Sequence, residues 1–235
     1  MSDAQEAAWG ALIELSERVE TGWTLIGGQL VHLHCAERGL APARPTNDVD
    51  AVVDIRASRN MLETFTAALK DIGFTPDTSG DGVQHRWNRD LAQFDVLIPE
   101  GVGERAASRV GAGGAPTISA PGTTQALART EIVEVTVGSR TGTVPRPTLV
   151  GALVAKAAAR TEIVADRAKS RHCTDFVVLA NLIAAGDFRD VELNNKDRVR
   201  LRRMVGRCRA DDSAMAVANA DEALDRLERA AKLNG

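Results

Sequence analysis

The sequence has no tyrosine, and three Trp and five Phe are its whole aromatic complement, 3% of 235 residues. A protein that holds single strands by stacking bases on Tyr and Phe is therefore not expected. Lysine is scarce as well. Of 29 basic residues only Lys70, Lys156, Lys169, Lys196 and Lys232 are Lys, and the rest are Arg. That skew fits a GC-rich genome and says nothing about function, but it makes each Lys conspicuous. Three widely spaced cysteines (Cys35, Cys173, Cys208) argue against a disulfide scaffold and for a reducing cytoplasm. No run of about 18 apolar residues occurs, so no membrane span is expected. Met1 to Ala8 is acidic, without the basic segment that opens a signal peptide. What is present is ordinary for a globular chain: 44% hydrophobic, 26% charged, net charge -3.

Hydrophobic periodicity predicts a helix over 4–20, a short strand over Trp23 to Ile26 running into Gly27-Gly28, and a helix from Gln29 to about Arg38. Val49 to Ile55 is β-branched and reads as a strand, and Arg59 to Ile72 as a helix stopped by Gly73. Strands are expected over 83–88 and 91–98, joined by a turn at 88–90. The Gly-, Ser- and Ala-rich stretch 101–122 reads as a partly flexible excursion. A short helix (124–129), a strand (132–137), a turn (138–142) and a short extended piece (143–145) follow. Beyond Pro147 the pattern becomes helical: Thr148 caps a helix to about Ala165, with others over 174–185, 191–209 and 221–233. The expected layout is α+β: a core over 1–147 with a small mixed sheet and flanking helices, then a helical domain over 148–235.

Asp48 and Asp50, two apart on a strand, share a face. Paired carboxylates repel unless a cation lies between them, and all-oxygen donors suit Mg²⁺ completed by phosphate oxygens. Alone, such a pair is more often a solvated strand end. The surroundings change that balance. Gly27-Gly28 sits at a strand-to-helix turn, where backbone N–H groups can approach phosphate. Asp95, on a strand of its own, can complete an acidic cluster if that strand lies beside the first. Three carboxylates and a Gly turn describe a phosphoryl-transfer site.

Gly27-Gly28 followed by Arg44-Pro45-Thr46-Asn47-Asp48-Val49-Asp50 resembles the signature of the DNA polymerase β-like nucleotidyltransferases. The Arg-x-Thr-x-Asp-x-Asp form is similar to the AbiEii/MenT toxin branch. Pro145-Arg146-Pro147-Thr148-Leu149 followed by Lys156, and then Arg167, Lys169, Arg171, His172 and Asp175, resemble the family's helical half. The resemblance spans about residues 23–185. It departs at Gln29, where many relatives have Ser, Thr or Ala, at His172, where Asp is common, and in a slightly longer loop between Gly28 and Asp48.

The resemblance implies transfer of a nucleoside monophosphate from an NTP to an acceptor hydroxyl. Asp48, Asp50 and Asp95 are then the metal ligands for Mg²⁺ (or Mn²⁺), with Asp95 alternatively accepting the acceptor's proton. Lys156 joins them as a catalytic cation. Gly27, Gly28, Arg44, Thr46, Lys169 and Asp175 are the expected substrate-binding residues. A tRNA 3′ end is the implied acceptor, with a small molecule such as an antibiotic, or a protein side chain, as the others. A toxin role and a cognate antitoxin protein follow from the same likeness. The opposing hypothesis is a catalytically silent protein of this fold that binds nucleotide or a partner.

Other local patterns carry less. His32, His34 and Cys35 with His172-Cys173 match no zinc spacing. Gly111 to Gly114 lacks the Gly-Lys-Ser/Thr of a P-loop. Asp54 reads as a surface acid and Arg86 as an exposed strand residue within reach of a phosphate. Lys196 to Arg209 holds seven basic residues against Asp197 alone. It reads equally as a nucleic-acid-binding face or as a solvated helix paired with nearby acids.

Overall fold

The computed structural model describes residues 1–162 and 169–233. The first unit comprises Met1–Gln29 and Thr46–Pro147, the second Leu30–Pro45 and Thr148–Gly235. The sequence reading divides the chain once, after residue 147. In the structure residues 30–45 belong to the same compact unit as the helices that follow residue 147.

In the first unit α1 (Asp3–Arg18) opens on a capping box, with Ser2 and Gln5 each bonding the other's backbone. β1 (Trp23–Ile26) leads into α2 (Gly27–Glu37), whose last eight residues belong to the second unit. Then come β2 (Asp48–Val53), α3 (Met61–Asp71), β3 (Thr75–Asp77), β4 (Arg86–Arg89) and β5 (Ala92–Pro99). A short α4 (Glu104–Ala107), β6 (Ile118–Ala120) and α5 (Thr123–Leu127) precede the hairpin of β7 (Thr130–Val137) and β8 (Arg140–Pro147). The main sheet has the order β1-β2-β5-β4-β3, with β6 also on β5. β2 and β5 run parallel, as do β5 and β6, and the other pairs are antiparallel, so the sheet is mixed.

The stretch 101–122, read as a partly flexible excursion, carries the edge strand β6. It is fixed because Leu97, Ile98 and Pro99 of β5 pair with Ile118, Ser119 and Ala120. The extended piece expected over 143–145 is a full strand. Pro145 and Pro147 are tolerated there because each strand of a two-stranded sheet has an edge that needs no ladder donor. The buried Arg146 joins that hairpin to the Glu131 directly opposite it, at 2.7 Å.

Alternation decides the faces of the main sheet. On β2, Val49 and Ala51 are buried while Asp48 and Asp50 are half-buried; on β5, Phe94 and Val96 are buried while Gln93 and Asp95 are half-buried. Edge-to-face pairs of Trp23 with Phe65 and Phe74 with Phe94, centroids 5.4 and 5.2 Å apart, help fill the apolar side. All three Trp and four of the five Phe are buried, so the scarce rings are core material and not a stacking platform.

The second unit is helical: α6 (Leu149–Glu162), α7 (Lys169–Asn181), α8 (Asn195–Arg209), α9 (Asp212–Met215) and α10 (Ala220–Ala230). Thr148 caps α6 by accepting from Gly151 N at 3.1 Å, and Asn194 caps α8 by accepting from Asp197 N. α6 packs on α7 and α8, and α7 on α9 and α10, around Leu153, Phe176, Leu201, Met204 and Leu224. Among the described residues no helix is long and apolar enough to cross a membrane.

Candidate active site

The acidic cluster follows from strand register. β2 and β5 are neighbours and parallel, with Asp50 level with Asp95 and Asp48 level with Gln93. Adjacent strands lie about 4.8 Å apart, and level residues project to the same face. One carboxylate oxygen from each of Asp48, Asp50 and Asp95 therefore lies within 4.8 Å of the other two. Among the described residues this is the group of three ligating side chains that can hold a metal ion. All the donors are hard carboxylate oxygens, the set that divalent Mg²⁺- or Mn²⁺-type ions take, so the residues fit such an ion.

Each acid is held differently. Thr46 donates its hydroxyl proton to Asp48 Oδ1 at 2.6 Å. Thr46 is itself anchored through its carbonyl, which accepts from Gln5 Nε2 at 3.0 Å and from Gln29 Nε2 at 3.1 Å. Gln29 is fully buried, and its amide oxygen accepts from Trp9 Nε1 at 2.9 Å. Gln29 is thus an inward-facing amide that ties α1 to the loop before Asp48.

Asp50 lies against the start of α2, where the helix dipole favours negative charge. Gly27 there has φ +74°, and a Cβ on it would stand 1.8 Å from Asp50 Oδ2. A Cβ on Gly28 would stand 2.7 Å from Thr46 Oγ1. The Gly-Gly turn was expected to admit phosphate. In the fold its evident requirement is room for two side chains of the site itself.

Asp95 is gripped from the opposite edge of β5. Arg86 on β4 is its register partner, and Arg86 Nε and Nη2 donate to Asp95 Oδ1 and Oδ2, each at 3.0 Å. Arg86, expected to be an exposed strand residue, is a direct neighbour of the acidic cluster.

Arg44, Lys156 and Asp175 meet within the second unit. Asp175 Oδ2 accepts from Lys156 Nζ at 2.7 Å and from Arg44 Nη2 at 3.0 Å, while Oδ1 accepts from Arg44 Nε at 3.1 Å. The Asp175 and Lys156 side chains are only 5% and 10% exposed, and Arg44 is 30% exposed. Burial works against the Asp175 carboxylate, but the Lys156 charge and the hydrogen bonds from Arg44 and Lys156 outweigh it. Its carboxyl therefore lies below the ordinary carboxylate value. His32 Nε2 adds a contact to the Arg44 carbonyl at 2.7 Å. Arg167 and the Lys169 side chain lie outside the described residues.

The arginines of α8 are largely engaged as helix ties. Arg198 donates to the Ala231 carbonyl, Arg202 to that of Leu233, and Arg207 to that of Arg160. Arg209 pairs with Asp225 and Glu228. Arg200 is buried. Asp54 pairs with Arg56 at 2.9 Å.

No protein-family model and no curated protein matches the sequence. Among solved structures the chain is similar to the crystal structure of an antigenic nucleotidyltransferase-like protein from Paracoccidioides brasiliensis. The TM-score is 0.56 at 13% identity, over 96% of this chain and 94% of that one. The fold is nucleotidyltransferase-like. A looser likeness, to the solution structure of the antibiotic-resistance factor ANT(2'')-Ia, has a TM-score of 0.48 at 11% identity over 89% of this chain and 96% of that one. Within the nucleotidyltransferase-like fold, the mixed sheet puts three acids together on adjacent strands, and that arrangement can bind a divalent metal.

Proposed function

We propose that this chain is a metal-dependent nucleotidyltransferase that moves a nucleoside monophosphate from an NTP to an acceptor hydroxyl, the first acceptor to test being a tRNA 3′ end. One observation carries the reading: Asp48, Asp50 and Asp95 bring carboxylate oxygens within 4.8 Å of one another on a single face of the sheet. Three like charges so close are costly without a cation, and a fold needs no such cluster for its own stability. Mg²⁺ is the ion proposed, and when bound it supplies charge neutralisation for the phosphates and the departing pyrophosphate.

The chain's own residues do the rest by positioning. Thr46 fixes the Asp48 carboxylate, Gly27 leaves room for Asp50, and Arg86 holds Asp95 until a metal ion arrives. In the reaction an acceptor oxygen bonds to the α-phosphorus, the bond between that phosphorus and the pyrophosphate oxygen breaks, and the hydroxyl proton passes to Asp95 or to water. The phosphate-binding role expected of Arg44 and Lys156 belongs to the same proposal. Both are cations already oriented by Asp175, and a Lys point charge and an Arg fork each suit phosphate oxygens.

The resemblance to the AbiEii/MenT branch supports a toxin role with a cognate antitoxin. Growth arrest on expression, lost in Asp50→Ala, is its expected sign. The biochemical test is Mg²⁺-dependent transfer of label from each α-labelled NTP to total tRNA, to hydroxyl-bearing antibiotics and to protein, with Asp48→Ala beside the parent chain. Transfer to one of these acceptors that disappears in the variant is expected. Absence of transfer to every acceptor, or transfer indifferent to the substitution, would overturn the proposal.

A further inference from the structure

The acidic cluster already has a cation on it. Arg86 and Asp95 face each other across the antiparallel β4–β5 pair, and the guanidinium bonds both oxygens of that one carboxylate. A two-pronged Arg–carboxylate pair takes two of the about four lone-pair sites of the carboxylate, so a metal ion drawing on the same two oxygens competes with it. The two partners differ in surroundings: the Asp95 side chain is 13% exposed, whereas that of Arg86 is 41% exposed. Asp95 is thus set by the sheet, while the guanidinium can leave for water without opening a hole in the core.

We propose that Arg86 is a resident counter-ion of the acidic cluster, which holds Asp95 in the metal-free chain and competes with the divalent ion for it. The inference rests on the reading of the cluster as a metal site. Without a cation, three carboxylates within 4.8 Å repel one another, and the guanidinium offsets that repulsion. When metal binds, the fork opens at Asp95. The freed guanidinium then has the planar geometry that phosphate oxygens accept, so a triphosphate arriving with the metal draws it off. Metal alone binds weakly, and metal with nucleotide binds well. The role is one of positioning and exchange, and the sign of its effect distinguishes it from a structural tie. Removing a structural tie loosens a metal site, whereas removing a competitor tightens it.

The test is Mn²⁺ binding followed by the electron paramagnetic resonance of the free ion, without nucleotide. The full chain is compared with Arg86→Gln, Arg86→Lys and Asp50→Ala. Removing one positive charge a few ångströms from a divalent ion, in partly solvated surroundings, makes Arg86→Gln bind Mn²⁺ about tenfold more tightly. Arg86→Lys, which keeps the charge, stays near the parent. Melting in chelator and in Mn²⁺ runs alongside: Arg86→Gln is expected to melt lower than the parent without metal and to gain more from adding it. Unchanged or weaker Mn²⁺ binding in Arg86→Gln, with Asp50→Ala clearly weakened, overturns the inference and leaves the metal site standing. No Mn²⁺ binding by any variant, or binding indifferent to Asp50→Ala, overturns the metal reading, and the inference falls with it.

Discussion

Replacing Asp175 by Ala is the sharpest perturbation the fold of the second unit allows. It removes the shared acceptor of Lys156 and Arg44 and leaves an ammonium that is only 10% exposed without its carboxylate. At an effective dielectric of about 20, unit charges about 4 Å apart attract by about 4 kcal/mol, and desolvation of both groups cancels much of that gain. The cost of breaking the pair is set instead by the orphaned charge, about 3–5 kcal/mol. Arg44, 30% exposed, can turn to water and adds little to the cost. Since whole domains are stable by about 5–15 kcal/mol, the loss should be plain in urea unfolding. Far-UV circular dichroism is the probe of choice, because Trp9, Trp23 and Trp87 all lie in the first unit. In the double variant Lys156→Met with Asp175→Leu no buried charge is left unpaired and Arg44 can turn to water, so most of the lost stability should return. A cost below about 1 kcal/mol for Asp175→Ala, or a double variant no better than the single one, would refute the reasoning. The same pair sets an acid limb. The folded Asp175 carboxyl lies below its ordinary value of 3.8, so its contribution is complete above about pH 4 and is lost as pH falls through the folded pKa. The stability gap between the parent and Asp175→Asn should therefore narrow below pH 4 and stay constant above it.

Two further substitutions probe the acidic cluster. Gly27→Ala forces a side chain into φ +74° and onto Asp50 Oδ2. It should lower stability by about 1–2 kcal/mol from backbone strain alone and weaken Mn²⁺ binding in the same experiment, and no change in either would show the turn to be looser than drawn. Gln29→Leu orphans the Trp9 Nε1–H and removes one of two donors to the Thr46 carbonyl. A loss of about 1–3 kcal/mol is expected in thermal unfolding followed by Trp fluorescence, and an unchanged melt would remove Gln29 from the support of Asp48.

Much of the site was legible because strand periodicity is rigid. Asp48 and Asp50 had to share a face once residues 48–53 formed a strand, and Val49 and Ala51 had to face the core. The cap at Thr148 and the stop at Gly73 were equally local and readable. Arg86 shows where local signals end. A turn over 88–90 would set residue 88 opposite 91 and Arg86 opposite Gln93. The observed turn at Asp90-Leu91, with Asp90 at φ 51°, moves the partner by two residues to Asp95. Such a shift keeps every side chain on its face, so the hydrophobic pattern is blind to it. The edge strand β6 was hidden for a related reason: a three-residue strand is stabilised by its partner and not by its own sequence.

The sequence by itself determined the α+β class, the two acids of β2, the aromatic-poor surface and the turn glycines, because each depends on spacing or composition within a few residues. Only the tertiary structure decided that β5 lies parallel beside β2 and brings Asp95 level with Asp50. It alone joined Lys156 and Asp175, 19 residues apart, to Arg44, 131 residues from Asp175. It also turned most of the arginines of α8 from a basic run into ties on neighbouring carbonyls and acids. The reason is common to all three: charged side chains find their partners across elements, and the pairing is fixed by register and packing that no local window of sequence contains.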